Sequence, residues 1–134
     1  MAAAETCLRA GLEFVVNVRA LTEIGTDDAG RILERQLRGD FGEIDLIALD
    51  ADTVVFVEVK TRSTTAAGDP TEAITPAKQR KMTQSALAYL KRRGWLQRRA
   101  RFDVVAIVWD GEHTPEVRHF RNAFEAFGTG QMYS

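Results

Sequence analysis

The chain has 134 residues, 45% of them hydrophobic and 28% charged, with a formal net charge of −1. A length near that of one domain and an ordinary globular composition exclude a disordered or membrane-embedded chain and predict one soluble α/β domain spanning residues 1–134. No apolar run approaches the roughly 20 residues a membrane span needs, and Met1 to Thr6 lack the charged and apolar regions of a secretory signal, so the expected location is the cytoplasm, with no membrane partner. The single cysteine, Cys7, has no partner for an internal disulfide, which suits a reducing compartment.

The charge is unevenly spread. From Ala73 to Phe102 there is no acidic residue, yet nine of the 18 Lys and Arg residues lie there. Such a run is either a solvated face or a surface for an anionic partner such as a phosphate backbone.

Ala2 to Ala10 is rich in helix formers, Leu12 to Val18 reads as extended, and Gly25 to Gly30 reads as a loop. A strand is expected at Arg31 to Leu37. The strongest β signal follows in Glu43 to Leu49 and Val54 to Thr61, joined by a short polar turn. Ser63 to Pro70 is a loop. Thr75-Pro76 supplies an N-cap with proline at the first helical position, and the helix runs to Arg93 and stops at Gly94. Its Met82, Ala86, Leu87 and Leu90 gather on a core face, and Lys78, Lys81, Ser85 and Arg92 on an exposed one. Arg101 to Trp109 is a buried strand, Asp110-Gly111 opens a turn, and a last strand lies near Glu116 to Arg121. Residues 128–134 read as a loose tail, and the place of residues 1–30 stays open.

Geometry follows from the central hairpin before any fold is assigned. A two-residue loop at Ala51-Asp52 pairs Asp50 with Thr53, and the same register sets Asp45 opposite Glu58 and Glu43 opposite Lys60. Side chains alternate across a strand, so all four are expected on one side of the sheet, with opposed Cβ atoms about 4.5–5.5 Å apart. Two facing carboxylates repel and call for a counter-charge. A hard divalent cation such as Mg²⁺ fits that requirement, and the alternative is a surface salt-bridge patch. The same face carries Val54 and Phe56, so it begins buried and becomes charged at one end, which favours a functional role. A lysine two residues beyond a metal carboxylate can orient water and stabilise charge developing on phosphorus.

Asp45 followed by Glu58-Val59-Lys60 resembles the D…E-x-K core of the restriction-endonuclease-like PD-(D/E)xK superfamily. More specifically, GEIDLIA (Gly42 to Ala48), VFVEVKTR (Val55 to Arg62), PTEAITPAKQRK (Pro70 to Lys81), RFDVVAI (Arg101 to Ile107) and RNAF (Arg121 to Phe124) together resemble the YraN-type family of uncharacterised bacterial proteins. The resemblance implies a mixed sheet flanked by helices and a metal-dependent endonuclease activity on DNA, with Mg²⁺ or Mn²⁺ as cofactor. Asp45, Glu58 and Lys60 then take the catalytic positions, Asp45 and Glu58 hold the metal, and the Val59 carbonyl and Glu43 are further candidate ligands. Lys78, Gln79, Lys81 and Arg92 are the candidate nucleic-acid contacts. The family's N-terminal helix glutamate could fall on Glu5, Glu13 or Glu23, and its first strand on Ala10 to Val18 or Ala29 to Leu37.

His113 and His119 read as surface residues, Asp103 as a structural carboxylate paired with Arg101 or another base or else as a support or metal ligand of the site, and Trp95 and Trp109 as core anchors or else as stacking platforms for bases. Two rival functions remain: a nucleic-acid-binding module of the same fold that does not cut, and a structural or protein-interaction domain. Substrate structure and oligomeric state, a homodimer included, are left open.

Overall fold

The computed structural model describes residues 31–62, 74–108, 110, 112–114 and 116–126. The expected helix at Ala2 to Ala10, the extended stretch at Leu12 to Val18, the loops at 25–30 and 63–70, the candidate glutamates Glu5, Glu13 and Glu23, and the tail all lie outside these residues.

Among the described residues five strands and one helix follow in chain order: β1 (Arg31–Gly39), β2 (Gly42–Asp50), β3 (Thr53–Arg62), α1 (Pro76–Arg93), β4 (Ala100–Val108) and β5 (Glu116–Phe124). The strands form one mixed sheet in the order β1-β2-β3-β4-β5, antiparallel throughout except for the parallel pair β3–β4. A parallel pair cannot be closed by a tight turn, and α1 lies in that crossover. This is an α/β domain consistent with the restriction-endonuclease-like architecture. Among the described residues no helix is long and apolar enough to cross a membrane.

The β1–β2 and β2–β3 hairpins each close on two residues, pairing Gly39 with Gly42 and Asp50 with Thr53. The second pairing is the one expected from the loop at Ala51-Asp52. β1 occupies Arg31 to Gly39, which places the strand next to the GEID segment on the later of its two candidate stretches.

The sheet separates two apolar clusters. On one side Ile47, Val54, Phe56, Phe102 and Val104 pack with Met82, Ala86, Tyr89 and Leu90 of α1. On the other lie Leu46, Ala48, Val55, Val57, Val105 and Ile107. Strands buried on both faces read as continuous apolar runs, and β3 and β4 do so. Burial of Phe56 and Phe102, both essentially inaccessible, makes each truncation to Ala cost about 3–5 kcal/mol.

α1 begins and ends as its sequence predicts. Thr75 Oγ1 accepts from the Lys78 N–H at 3.2 Å, Pro76 is the first helical residue, and Gly94 closes the helix at φ 70° with its N–H directed to the Leu90 and Lys91 carbonyls. That left-handed conformation suits glycine, and basic Lys91, Arg92 and Arg93 complement the carbonyl end. β5 runs three residues past its expected end at Arg121, because Phe124 stacks on Phe102 with ring centroids 4.7 Å apart.

Candidate metal-binding active site

The β2–β3 ladder runs from Asp50↔Thr53 to Leu46↔Val57 and stops there. Continued by one step, the register sets Asp45 opposite Glu58, and by two, Ile44 opposite Val59. The main chain does something else: the Val59 N–H donates to Asp45 Oδ2 at 2.8 Å. A carboxylate thus takes the place that a backbone carbonyl holds in a continuing ladder.

The reason is a reversal of faces in β2. Ile44 and Ile47 both pack in the cluster beneath α1, whereas Leu46 packs in the opposite cluster. Strict alternation cannot place 44 and 47 together, so the chain swings about Asp45. β1 adjusts at the facing position. Its ladder to β2 pairs Arg35 with Leu46 and Leu37 with Ile44, and the intervening Gln36 has φ 51°. Asp45 is thereby directed into the gap between β2 and β3 rather than squarely off one face. In an extended strand a residue's N–H and C=O point to the same side, so the Val59 carbonyl is also on the β2 side.

Three charged groups converge with Asp45. Glu58 is 4% exposed. Its Oε1 lies 3.7 Å from Lys60 Nζ and is ion-paired with Lys78 Nζ, which reaches it from the first turn of α1. Burial lifts the Asp45 carboxyl, the Val59 N–H pulls it back, and the neighbouring Glu58 carboxylate adds to the rise, leaving it pushed up to about 6. Lys60 is held below its ordinary value, first by burial and then by Lys78. Lys78 also loses solvent, but the Glu58 carboxylate outweighs this and holds it above the usual lysine range.

Two hard oxygen donors crowded enough to disfavour a second negative charge are a donor set that suits Mg²⁺ or Mn²⁺. Among the described residues no group of three or more His, Cys, Asp and Glu side chains gathers around one point, and the oxygen donors they offer here are Asp45, Glu58 and the Val59 carbonyl.

Glu43, expected beside Asp45, does not join them. Its carboxylate is half exposed and lies 3.9 Å from Arg38 Nε across the β1–β2 hairpin, because the reversal at Asp45 breaks the alternation that related the two. The expected nucleic-acid stripe on α1 is also redrawn. Lys78 belongs to the carboxylate pair. Gln79 spends its amide on the Ile74 carbonyl at 3.0 Å, and Ser85 is buried. Lys81 and Arg92 remain exposed. Lys78 is expected as a nucleic-acid contact, and its pairing with Glu58 has no signal in the sequence, since nothing in its spacing reports which strand the first turn of α1 crosses.

A second polar cluster lies on β4. Arg101 Nε donates to Asp103 Oδ1 at 3.0 Å and its Nη1 to Asp50 Oδ2 at 2.8 Å, the structural pairing expected of Asp103. His119 corrects its expected surface position. Its side chain is 6% exposed, with Nε2 2.7 Å from Asp103 Oδ2. Burial alone raises the Asp103 carboxyl, but hydrogen bonds from His119, Arg101 and the Asn122 N–H hold it below the usual carboxylate range. His113 is exposed beside Asp110, as expected.

The profile of the uncharacterised protein family UPF0102 matches residues 18–107. A UPF0102 protein of Geobacter sulfurreducens is 50% identical over 95 residues, 71% of this chain and 74% of its own length. One from Rhodococcus jostii is 44% identical over 106 residues, 79% of this chain and 86% of its own length. A third, from Rhodopirellula baltica, is 47% identical over 96 residues.

Proposed function

This chain belongs to the uncharacterised protein family UPF0102, the expected YraN-type relationship, and we propose that it is a metal-dependent nuclease that hydrolyses phosphodiester bonds in DNA. The observation that carries the reading is the convergence of Asp45 and Glu58 from neighbouring strands with two ammonium groups on the same Glu58. A merely solvated salt bridge has no need of a buried carboxylate, a neighbour whose ionisation is resisted, and a break in the ladder to seat it.

Asp45, Glu58 and the Val59 carbonyl would hold Mg²⁺ or Mn²⁺, which would supply Lewis acidity toward a phosphate oxygen and lower the pKa of water. The protein's own groups do the rest. The Val59 N–H fixes the Asp45 carboxylate in place. Lys60, partly open to solvent and with its ammonium made more acidic by its surroundings, orients the attacking water and stabilises charge developing on phosphorus. Lys78 neutralises Glu58 while no cation is bound, and its flexible stem lets it turn to the phosphate once Glu58 is engaged.

The test is a cleavage assay on linear and branched DNAs with Mg²⁺ or Mn²⁺ against EDTA, run beside Lys60→Ala and a calorimetric metal titration. Metal-dependent cleavage that falls roughly 10²–10³-fold in Lys60→Ala is the expected result. Absence of both cleavage and metal binding refutes it. The Lys78–Glu58 ion pair favours one second reading, a nucleic-acid-binding module that does not cut, because it balances Glu58 without a cation. Metal-independent DNA binding with no turnover identifies that case.

A further inference from the structure

The outer edge of α1 faces the β1–β2 turn across a trough. Positions 78, 81, 85, 88 and 92 follow one another by three and four residues, so they form one line along the helix. The line has cations at both ends, Lys78 and Lys81 at one and Arg92, with neighbouring Lys91, at the other. Ser85 and Ala88 between them are small and leave a hollow. Two adjoining depressions of about 590 and 310 Å³ occupy it, sharing Phe41, Gly42 and Ser85.

The opposite wall is the hairpin tip. Phe41 is 43% exposed, the one exposed large hydrophobic side chain among the described residues. Its orientation is set by a two-residue loop that closes on Gly42 at φ 124°, a backbone conformation that only glycine adopts freely, although a Cβ there meets nothing within 4 Å. Asp40 and Glu43 also lie on this wall, Glu43 beside Arg38. Among the described residues Lys81, Lys91 and Arg92 form no ion pair.

We propose that this trough is the path of a single DNA strand, whose phosphates lie against Lys81 and Arg92 and one of whose unpaired bases stacks on Phe41. Lys81 and Arg92 are about 16 Å apart along the helix, so they grip separate phosphates of one strand, with the aromatic ring between. The pattern of a basic groove with an aromatic platform suits single strands, because a base in a duplex has already given its faces to its neighbours. A phosphate-only grip on duplex DNA leaves Phe41 without a role. The smaller depression includes Lys78, whose ammonium is paired with Glu58, so this end of the trough adjoins the carboxylate pair through Lys78. The inference rests on the nuclease reading of that site and names its substrate as DNA with an unpaired stretch beside the cut.

Fluorescence anisotropy of the full chain with labelled single-stranded and duplex DNA of one sequence, in EDTA so that no cleavage is needed, tests it. Phe41→Ala should weaken single-strand binding roughly 10-fold or more, leave duplex binding within about twofold, and unfold no earlier than the parent, since Phe41 is exposed; Phe41→Trp should restore binding. The pair Lys81→Ala with Arg92→Ala should flatten the dependence of log K on log salt by about 1.4, at about 0.7 per phosphate contact on single strands. Unchanged single-strand binding in Phe41→Ala, or equal losses on both DNAs, overturns the proposal, and tighter binding of the matching RNA overturns the choice of DNA. Phe41-dependent single-strand binding without cleavage in Mg²⁺ supports the path and refutes the nuclease. Cleavage with binding indifferent to Phe41 does the reverse.

Discussion

Asp45→Asn separates a functional carboxylate from a structural one by its pH dependence. In the folded chain the Asp45 carboxyl is displaced from 3.8 to about 6. At 1.36 kcal/mol per unit this corresponds to about 3 kcal/mol of destabilisation at neutral pH, and to about 1–2 kcal/mol once the group's partial exposure is allowed for. Because the folded-state value is raised, the folded chain holds this proton more tightly than the unfolded one. The penalty is therefore absent below about pH 4, grows between about pH 4 and 6, and is complete above. Asparagine carries no charge yet still offers an oxygen to the Val59 N–H, so without divalent ions the variant is expected to be more stable than the parent by about 1–2 kcal/mol at pH 7 and equal to it near pH 4. With Mg²⁺ at 100 times its dissociation constant the parent gains about 2.7 kcal/mol, the variant does not, and the order reverses. Urea denaturation at the two pH values, with EDTA or Mg²⁺, measures this. A variant less stable than the parent at pH 7 in EDTA, or a difference that ignores pH, refutes the reasoning.

Lys78→Met should lower turnover while leaving DNA affinity in EDTA within about twofold, since its ammonium serves Glu58; a large loss of affinity with normal turnover returns Lys78 to the phosphate stripe. Arg101→Leu strips the main counter-charge from fully buried Asp103 and is expected to cost about 3–5 kcal/mol in denaturant unfolding. A loss below 1 kcal/mol means that His119 carries Asp103 alone. Gly94→Ala forces a side chain into the left-handed region at φ 70° and should cost about 1–2 kcal/mol by the same measurement; no change means that the end of α1 rewinds freely.

What was legible in the chain is what short-range rules decide. Thr75-Pro76 and Gly94 bound α1 because capping and left-handed backbone are local matters, and the loop at Ala51-Asp52 transmits its register to Leu46↔Val57 because the pairing of an antiparallel ladder is arithmetic. That arithmetic also brought Asp45 and Glu58 to neighbouring places. It failed two residues past the end of the ladder, where Ile44 takes the cluster beneath α1 instead of the opposite one. The sequence GEIDLIA alternates well enough to hide the reversal, whose cause is the demand of α1 for an apolar neighbour near the hairpin tip. Lys78, Ser85 and His119 were misplaced for a related reason: each position depends on how two elements cross, Lys78 on β3 at a separation of 20 residues and His119 on Asp103 at 16. The swing that misled the alternation is also what turns the Asp45 carboxylate into the gap between the strands, within reach of the Val59 N–H. A regular β2 would place Glu43 and Asp45 on one face and give the Val59 N–H to a backbone carbonyl. The irregular one leaves Glu43 to Arg38 and holds Asp45 beside Glu58 against their mutual repulsion, which is the arrangement a cation relieves.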